Sequence, residues 1–385
     1  MPVPIIDVRA QDGSAEEDLR AQIIDGLTRP VGEKELPTIL LYDEHGLRLF
    51  DAYTTEAKEY YIYGAELEIL KNYSDEIVRA MHRGRKAFDG REVVLELGAG
   101  ALRKTLHILS ALGRLVPEAK PVPPVTYYAL DLDGKELRRT LGNLACDALN
   151  GGLDGRVAVQ GMWGTYEDGI RFVRNGCLRS GGIARDTLCD GDITSQPSTD
   201  DDSLLSTDSP PLHILFFGSS FGNFQRDAGA AFLRTLPLRP GSGDTLLLAM
   251  DHVNDKDKIE AAYNDSQGYG RACVMNALRH AARVLGDEDI FDDSQWEYVN
   301  SHDPQERRHQ EFLVSRVSQT MHAGAQTFSF IAGEKVKLEE SNKFSADDVD
   351  WLLSAASLRP LGRWSDRERL CSLWLLEREE NSTRA

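Results

Sequence analysis

The chain has 385 residues, 41% of them hydrophobic, which is enough for a sizeable core in one large or two ordinary domains. Its 62 Asp and Glu outnumber 44 Lys and Arg, giving a formal charge of −18 with no strong basic cluster, so neither nucleic acid nor an anionic membrane surface is an expected partner. The five scattered cysteines (Cys146, Cys177, Cys189, Cys273, Cys371) lack metal-ligand spacing and read as reduced thiols; with no leader segment and no apolar run of about 18 residues, a cytoplasmic protein without metal is expected.

In chain order, Leu67, Ile69, Leu70, Tyr73, Ile77, Val78 and Met81 fall at helical spacing and predict a helix over 66–83, stopped at Gly84. The apolar run EVVLELGAG then ends in glycines, and ALRKTLHILSALGRL behind it is helical, so the unit is strand, glycine turn, helix. VTYYALDLD, RVAVQGMW, LHILFFGSS and DTLLLAMD repeat the strand theme with helical stretches between. Together they predict an α/β, doubly wound, mainly parallel Rossmann-like sheet. The segment 179–211 is dense in Gly, Ser, Thr, Asp and Pro and reads as a flexible surface loop.

Beyond Asp251 a helical stretch is expected over 256–285, followed by the alternating patterns of EFLVSRVSQTM and TFSFIAGEKVKLEE, which predict antiparallel strands. RLCSLWLLERE suits an edge strand returning to the first sheet. The expected organisation is therefore a Rossmann-like domain at 65–253 and 342–385, with a second α+β substrate-binding subdomain at 1–64 and 254–341.

Several stretches carry candidate chemistry. Glu96, Gly98 and Gly100 close the first strand as E-x-G-x-G, where glycine lets the backbone approach a ligand; Arg103 stands where a dinucleotide fingerprint has its third glycine, which weakens a dinucleotide reading. That turn suits the methionine end of S-adenosylmethionine, which has no phosphate to cradle. Asp131, at the end of the second strand, can accept from both ribose hydroxyls; Asp133 competes for that role, and a helix N-cap is the structural alternative. In FFGSSFGNF, Gly218, Ser219 and Asn223 crowd a strand end, and Asn223 can accept from an amine and donate to a carboxylate; a plain turn is the alternative. Thr165 and Tyr166 could flank an adenine or simply make a surface turn. Tyr263, in AYND, and Glu339 and Ser341, in KLEESNKF, add polar groups that alone would read as solvated.

Taken in order, LPTILLYDEHGLRLFDAYTTEAKEYY, ELGAGALRKT, YYALDLD, FFGSSFGNF, AAYND, ERRHQEF and EESNKF resemble the histidine-specific methyltransferase family, which makes hercynine, the ergothioneine precursor, and has ergot-alkaloid dimethylallyltryptophan N-methyltransferases as relatives. The resemblance implies a class I methyltransferase fold with S-adenosylmethionine as cofactor and a free amino acid as the small-molecule partner, in a monomer or weak homo-oligomer. It implies that Tyr42 and Phe50 close over cofactor and substrate, that Gly98 and Lys104 meet the methionine portion, that Asp131 binds ribose and that Thr165 and Tyr166 lie at the adenine. Asn223 and Tyr263 match the residues holding the substrate head group, Glu339 and Ser341 those binding imidazole, and Phe312 stands where bacterial members carry Met.

Two departures matter. The fungal ergothioneine enzyme continues into a sulfoxide synthase domain that is not in this sequence, and Asn342 replaces the Tyr of the S-Y-K pattern, an expected change to the side-chain pocket. The expected activity is α-N-methylation of histidine, with tryptophan or a prenylated tryptophan as the alternative substrate and a non-catalytic ligand-binding relative as the alternative of another class. No general base is assigned.

Overall fold

The computed structural model describes residues 3–9, 14–82, 91–116, 118–150, 153, 155–178 and 210–380. Gly84 and residues 179–209 of the expected loop lie outside them.

The first half alternates strand and helix as β1 (Ile5–Asp7), α1 (Ser14–Thr28), α2 (Glu44–Glu56), α3 (Tyr61–Met81), β2 (Glu92–Leu97), α4 (Thr105–Leu115), β3 (Val125–Asp131), α5 (Gly134–Asn150), β4 (Val157–Trp163) and α6 (Tyr166–Arg174). There follow β5 (Leu212–Phe216), α7 (Arg226–Thr235), β6 (Thr245–Asp251), α8 (Lys256–Tyr263) and α9 (Tyr269–Leu285). The rest is mostly antiparallel: β7 (Trp296–Asp303), β8 (Arg308–Ser315), β9 (Gln319–Ala323), β10 (Gln326–Phe330), β11 (Lys335–Asn342), α10 (Ala346–Ala355), β12 (Leu358–Ser365) and β13 (Cys371–Arg378).

The main sheet has the order β1-β4-β3-β2-β5-β6-β13-β12, parallel except where β13 runs against both its neighbours. The central strands β2, β3, β5 and β6 are buried along their whole length because both faces are covered. Ile69, Ile108 and Leu141 pack one face, and Ile170, Leu233 and Leu352 the other. The direction in which successive strands are added reverses between the parallel neighbours β2 and β5, and an open α/β sheet binds its ligand at the carboxyl ends of the strands beside that reversal. A second body, built on α1, α9, a three-stranded sheet β11-β8-β7 and the hairpin β9-β10, has its own core of Ile23, Leu278, Trp296 and Phe328.

Three expectations are corrected. Ile5–Asp7, assigned by sequence to the second subdomain, pairs with β4 in the main sheet. The helical stretch expected over 256–285 is interrupted and not continuous, since the Asp265 carboxylate accepts from the backbone N–H of Gln267, Tyr269 and Gly270 and divides it into α8 and α9. β13 is interior, and the edge is β12, whose Pro360 and bulge before Gly362 disguise it as a loop in sequence. Among the described residues no helix is long and apolar enough to cross a membrane, and Cys273 and Cys371 are buried thiols outside any disulfide.

Where β2 begins, Glu92 is buried with His82 Nε2 at 2.8 Å and His213 Nε2 at 3.6 Å. Burial alone would raise the carboxyl, but the two imidazoles outweigh it and hold Glu92 well below the usual carboxylate range. A depressed folded-state value means that this stabilisation is complete above the unfolded carboxyl range and is lost as pH falls through the folded one. Glu92→Gln should therefore cost about 1–3 kcal/mol near neutrality, with a deficit that shrinks at acid pH in urea melts.

Candidate active site

The glycine turn after β2 works as the sequence predicts because three conditions meet there. Gly98 (φ +66°) and Gly100 (φ +54°) occupy the left-handed region, and a Cβ on Gly98 would stand 2.8 Å from the Tyr166 hydroxyl. Across the reversal point Gly218 (φ +78°) and Ser219 (φ +54°) turn the chain out of β5. Ser219 is a non-glycine residue held in that region, and its hydroxyl is buried with no partner among the described residues.

Two compartments open from this point. The first is lined by Glu96, Gly98, Gly100, Lys104 and Asp131, and the second by Tyr42, Tyr53, Asn223, Tyr263, Glu311, Glu339 and Ser341. Phe50, Tyr60, Gly218 and Ser220 line both, so they form the passage between them.

In the first compartment Asp131 accepts from the N–H of Gly100 and of Leu132, each at 2.7 Å, and burial raises its carboxyl. Asp133, its competitor, caps α5 by accepting from Lys135 and Glu136 N–H. Glu96 takes hydroxyl protons from Thr105 and Tyr127, and burial pushes it up to about 7. The Lys104 ammonium pairs with Glu66, which the sequence reading missed. Glu66 also accepts from Gly218 N–H at 2.9 Å, and its Oε1 is buried without a partner among the described residues.

These residues fit S-adenosylmethionine. The three left-handed glycines leave room for close backbone approach, Asp131 lines the compartment with a carboxylate able to accept from ribose hydroxyls, and Lys104 lines it with its ammonium backed by the buried Glu66, whose Oε1 has no partner among the described residues. Gly98→Ala should lower S-adenosylhomocysteine affinity about tenfold or more by titration calorimetry. Gly64→Ala, on α3 with open space around it, should leave affinity unchanged.

The second compartment is walled by aromatics. Tyr42, Phe50 and Tyr53 meet edge to face with ring centroids 6.1 Å apart, Tyr53 and Tyr60 lie at 4.5 Å, and Tyr60 continues to Tyr263 at 6.3 Å. Glu339 and Ser341, two apart on β11, face this cavity together. Glu339 accepts from Asn223 Nδ2 at 2.6 Å and from the Tyr42 hydroxyl at 3.3 Å, and burial raises its carboxyl.

Beneath them lies a fully buried ion pair, Lys343 with Asp251 at 2.8 Å. Lys343 spends its other protons on the Tyr263 hydroxyl at 3.0 Å and Ser341 Oγ at 3.1 Å, while Tyr61 donates to Asp251 at 2.6 Å. Tyr263 also donates to Ser341 Oγ at 2.9 Å, so Ser341 accepts twice and keeps its own hydroxyl proton for a ligand.

Four expectations change here. Phe312 faces away from the cavity, beside Gln310, Lys335 and Lys337, because strand side chains alternate; its neighbour Glu311 points in. Thr165 does not line the first compartment, since its hydroxyl completes a capping box with Asp168 at the start of α6. Ser219, expected at the cofactor, lines the second compartment, and Tyr42, expected over both cofactor and substrate, lines the second compartment and not the first. Asn342 does not shape the side-chain pocket; it donates to Gly222 and Phe224 carbonyls and braces the turn that carries Asn223.

A family model for histidine-specific, S-adenosylmethionine-dependent methyltransferases matches residues 19–378. The chain is 32% identical over 374 residues to an L-tryptophan methyltransferase of Psilocybe serbica, covering 95% of each chain. It is 30% identical over 363 residues to ergothioneine biosynthesis protein 1 of Neurospora crassa, covering 94% of this chain but 35% of that protein. With a 4-dimethylallyltryptophan N-methyltransferase of Arthroderma benhamiae it shares 26% identity, over 94% of each.

Proposed function

The chain belongs to the histidine-specific, S-adenosylmethionine-dependent methyltransferase family, and from that premise we propose that it methylates the α-amino group of free L-histidine, as far as the quaternary betaine. The carrying observation is the paired chemistry on β11: Glu339 offers an acceptor and Ser341 a spare hydroxyl proton to one cavity, and neutral imidazole has one N–H and one bare nitrogen to match them.

When bound, S-adenosylmethionine supplies a methyl group on a positively charged sulfur, open to in-line attack by a neutral amine. What this chain adds is placement. Asn223 and Tyr263, at the far side of the shared passage, hold the substrate's amino and carboxylate ends, and Phe50 and Tyr60 flank the path between compartments. As methyl groups accumulate the nitrogen loses every proton it could donate, and the aromatic faces of Tyr42, Phe50 and Tyr60 stabilise its fixed charge by cation–π attraction.

A second reading has tryptophan as substrate. It is favoured by the tryptophan methyltransferase of matching length and by the aromatic wall, though indole has one N–H and no nitrogen acceptor for Ser341.

The deciding experiment incubates the protein with S-adenosylmethionine and each free amino acid in turn. Mass increments of one, two or three methyl groups on histidine support the proposal; methylation confined to tryptophan replaces it with the second reading. Cofactor binding with no amino acid methylated would make the chain a ligand-binding relative.

A further inference from the structure

Glu311 is absent from every sequence expectation, yet it is buried in the wall of the amino-acid compartment. Its strand position lies directly opposite Glu339 in the β8–β11 register, and both carboxyl groups line the same cavity. Two buried carboxylates cannot face one another without a proton between or beside them.

The neighbouring tyrosine locates one such proton. Tyr298 donates its hydroxyl to the backbone carbonyl of Tyr263 at 2.7 Å, and a carbonyl oxygen can only accept. A phenol has a single proton, so the close contact between the Tyr298 oxygen and Glu311 Oε1 must be made with a proton from Glu311. Burial, reinforced by Glu339, pushes the Glu311 carboxyl in the same direction, well above its ordinary range. Nearby Lys343 is committed to Asp251, Tyr263 and Ser341 and does not neutralise the pair.

We infer that Glu311 is a specificity-determining residue, kept as a neutral carboxylic acid by Tyr298, which leaves Glu339 the single charged acceptor and ends the cavity in a polar wall suited to a small ring with two nitrogens. The substrate class is thus an amino acid bearing an imidazole-like diaza ring. An indole extends a further carbon ring beyond the atoms that meet Glu339 and Ser341 and would desolvate the polar Glu311 carboxyl against apolar surface, which costs binding. The inference rests on the proposed α-N-methylation and deepens it on the side-chain end.

The test is kcat/KM for histidine and tryptophan in direct competition, for the wild type, Glu311→Gln and Glu311→Leu. Histidine binding in the presence of S-adenosylhomocysteine is measured in parallel, so that slow variants are still ranked. Glutamine copies a neutral acid and can donate to the Tyr298 oxygen, so its histidine preference should stay within about threefold of the wild type. Leucine should move the preference toward tryptophan by about tenfold to a hundredfold, with cofactor affinity unchanged.

An unmoved preference in Glu311→Leu would overturn the inference. So would a shift in Glu311→Gln as large as in the leucine variant, because an ionised Glu311 would then be the active form, and so would a wild type that prefers tryptophan. In each of those outcomes amino-acid methylation survives. Failure to methylate any amino acid removes the parent reading and this inference together.

Discussion

Lys343→Met is expected to destabilise the protein by about 3–5 kcal/mol, because it leaves the Asp251 carboxylate buried without its cation. Urea unfolding at neutral pH reads the loss. The pair is a costly arrangement to bury, so the double variant Lys343→Met/Asp251→Leu should recover much of what the single one loses. A single variant as stable as the wild type would mean that Tyr61 and the Val253 N–H, the other donors to Asp251, carry it unaided. The pair also spans the two bodies, since Asp251 ends β6 of the main sheet and Lys343 follows β11 of the smaller one. Lys343 is therefore a positioning residue for Tyr263 and Ser341. Where the variant still folds, KM for the amino acid should rise more than S-adenosylhomocysteine affinity falls.

Asn223→Ala is expected to lower kcat/KM for the methylated amino acid about a hundredfold or more, with stability and cofactor affinity little changed. The amide donates to Glu339 at 2.6 Å, so one side chain fixes the orientation of another that faces the same cavity. Removing it takes away a head-group partner and frees Glu339 to turn. Single-turnover rates separate the two effects: a fall in the rate at saturating amino acid reports lost orientation, whereas a change in KM alone reports lost affinity. Unchanged kcat/KM would remove Asn223 from the site.

The main sheet was legible because its strands are uninterrupted apolar runs closed by glycines or acids, a pattern set by burial on both faces. Asp131 and Asn223 stand out locally because they are polar residues at the ends of apolar strands, whereas Tyr263, Glu339 and Ser341 became candidates only through the family resemblance. Glu311 was not found, since in ERRHQEF a one-residue shift of a period-two strand exchanges its inward and outward side chains. Phe312 was placed at the substrate only through its match to the bacterial Met, whereas the strand's alternation turns Glu311 into the cavity and Phe312 away. Glu66 was hidden for a related reason. Amid the helical pattern of α3 it reads as a solvated acid, and only the approach of Lys104 and Gly218 shows it to be buried. Tyr60 lies within a family-like string, but nothing local marks it as lining both compartments.

The antiparallel return of β13 between β6 and β12 governs the order in which the protein can be completed during synthesis. As the nascent chain leaves the ribosome, β6 emerges with one flank unpaired, and the whole of the smaller body must be made before residues 371–378 arrive to cover it. Until then a mostly apolar strand edge, with Leu246, Leu247 and Leu248 at its centre, is open to other chains. Ribosome stalling or premature termination in that interval should yield aggregation-prone fragments that depend on chaperones, even though every ligand-facing side chain described above has already been translated.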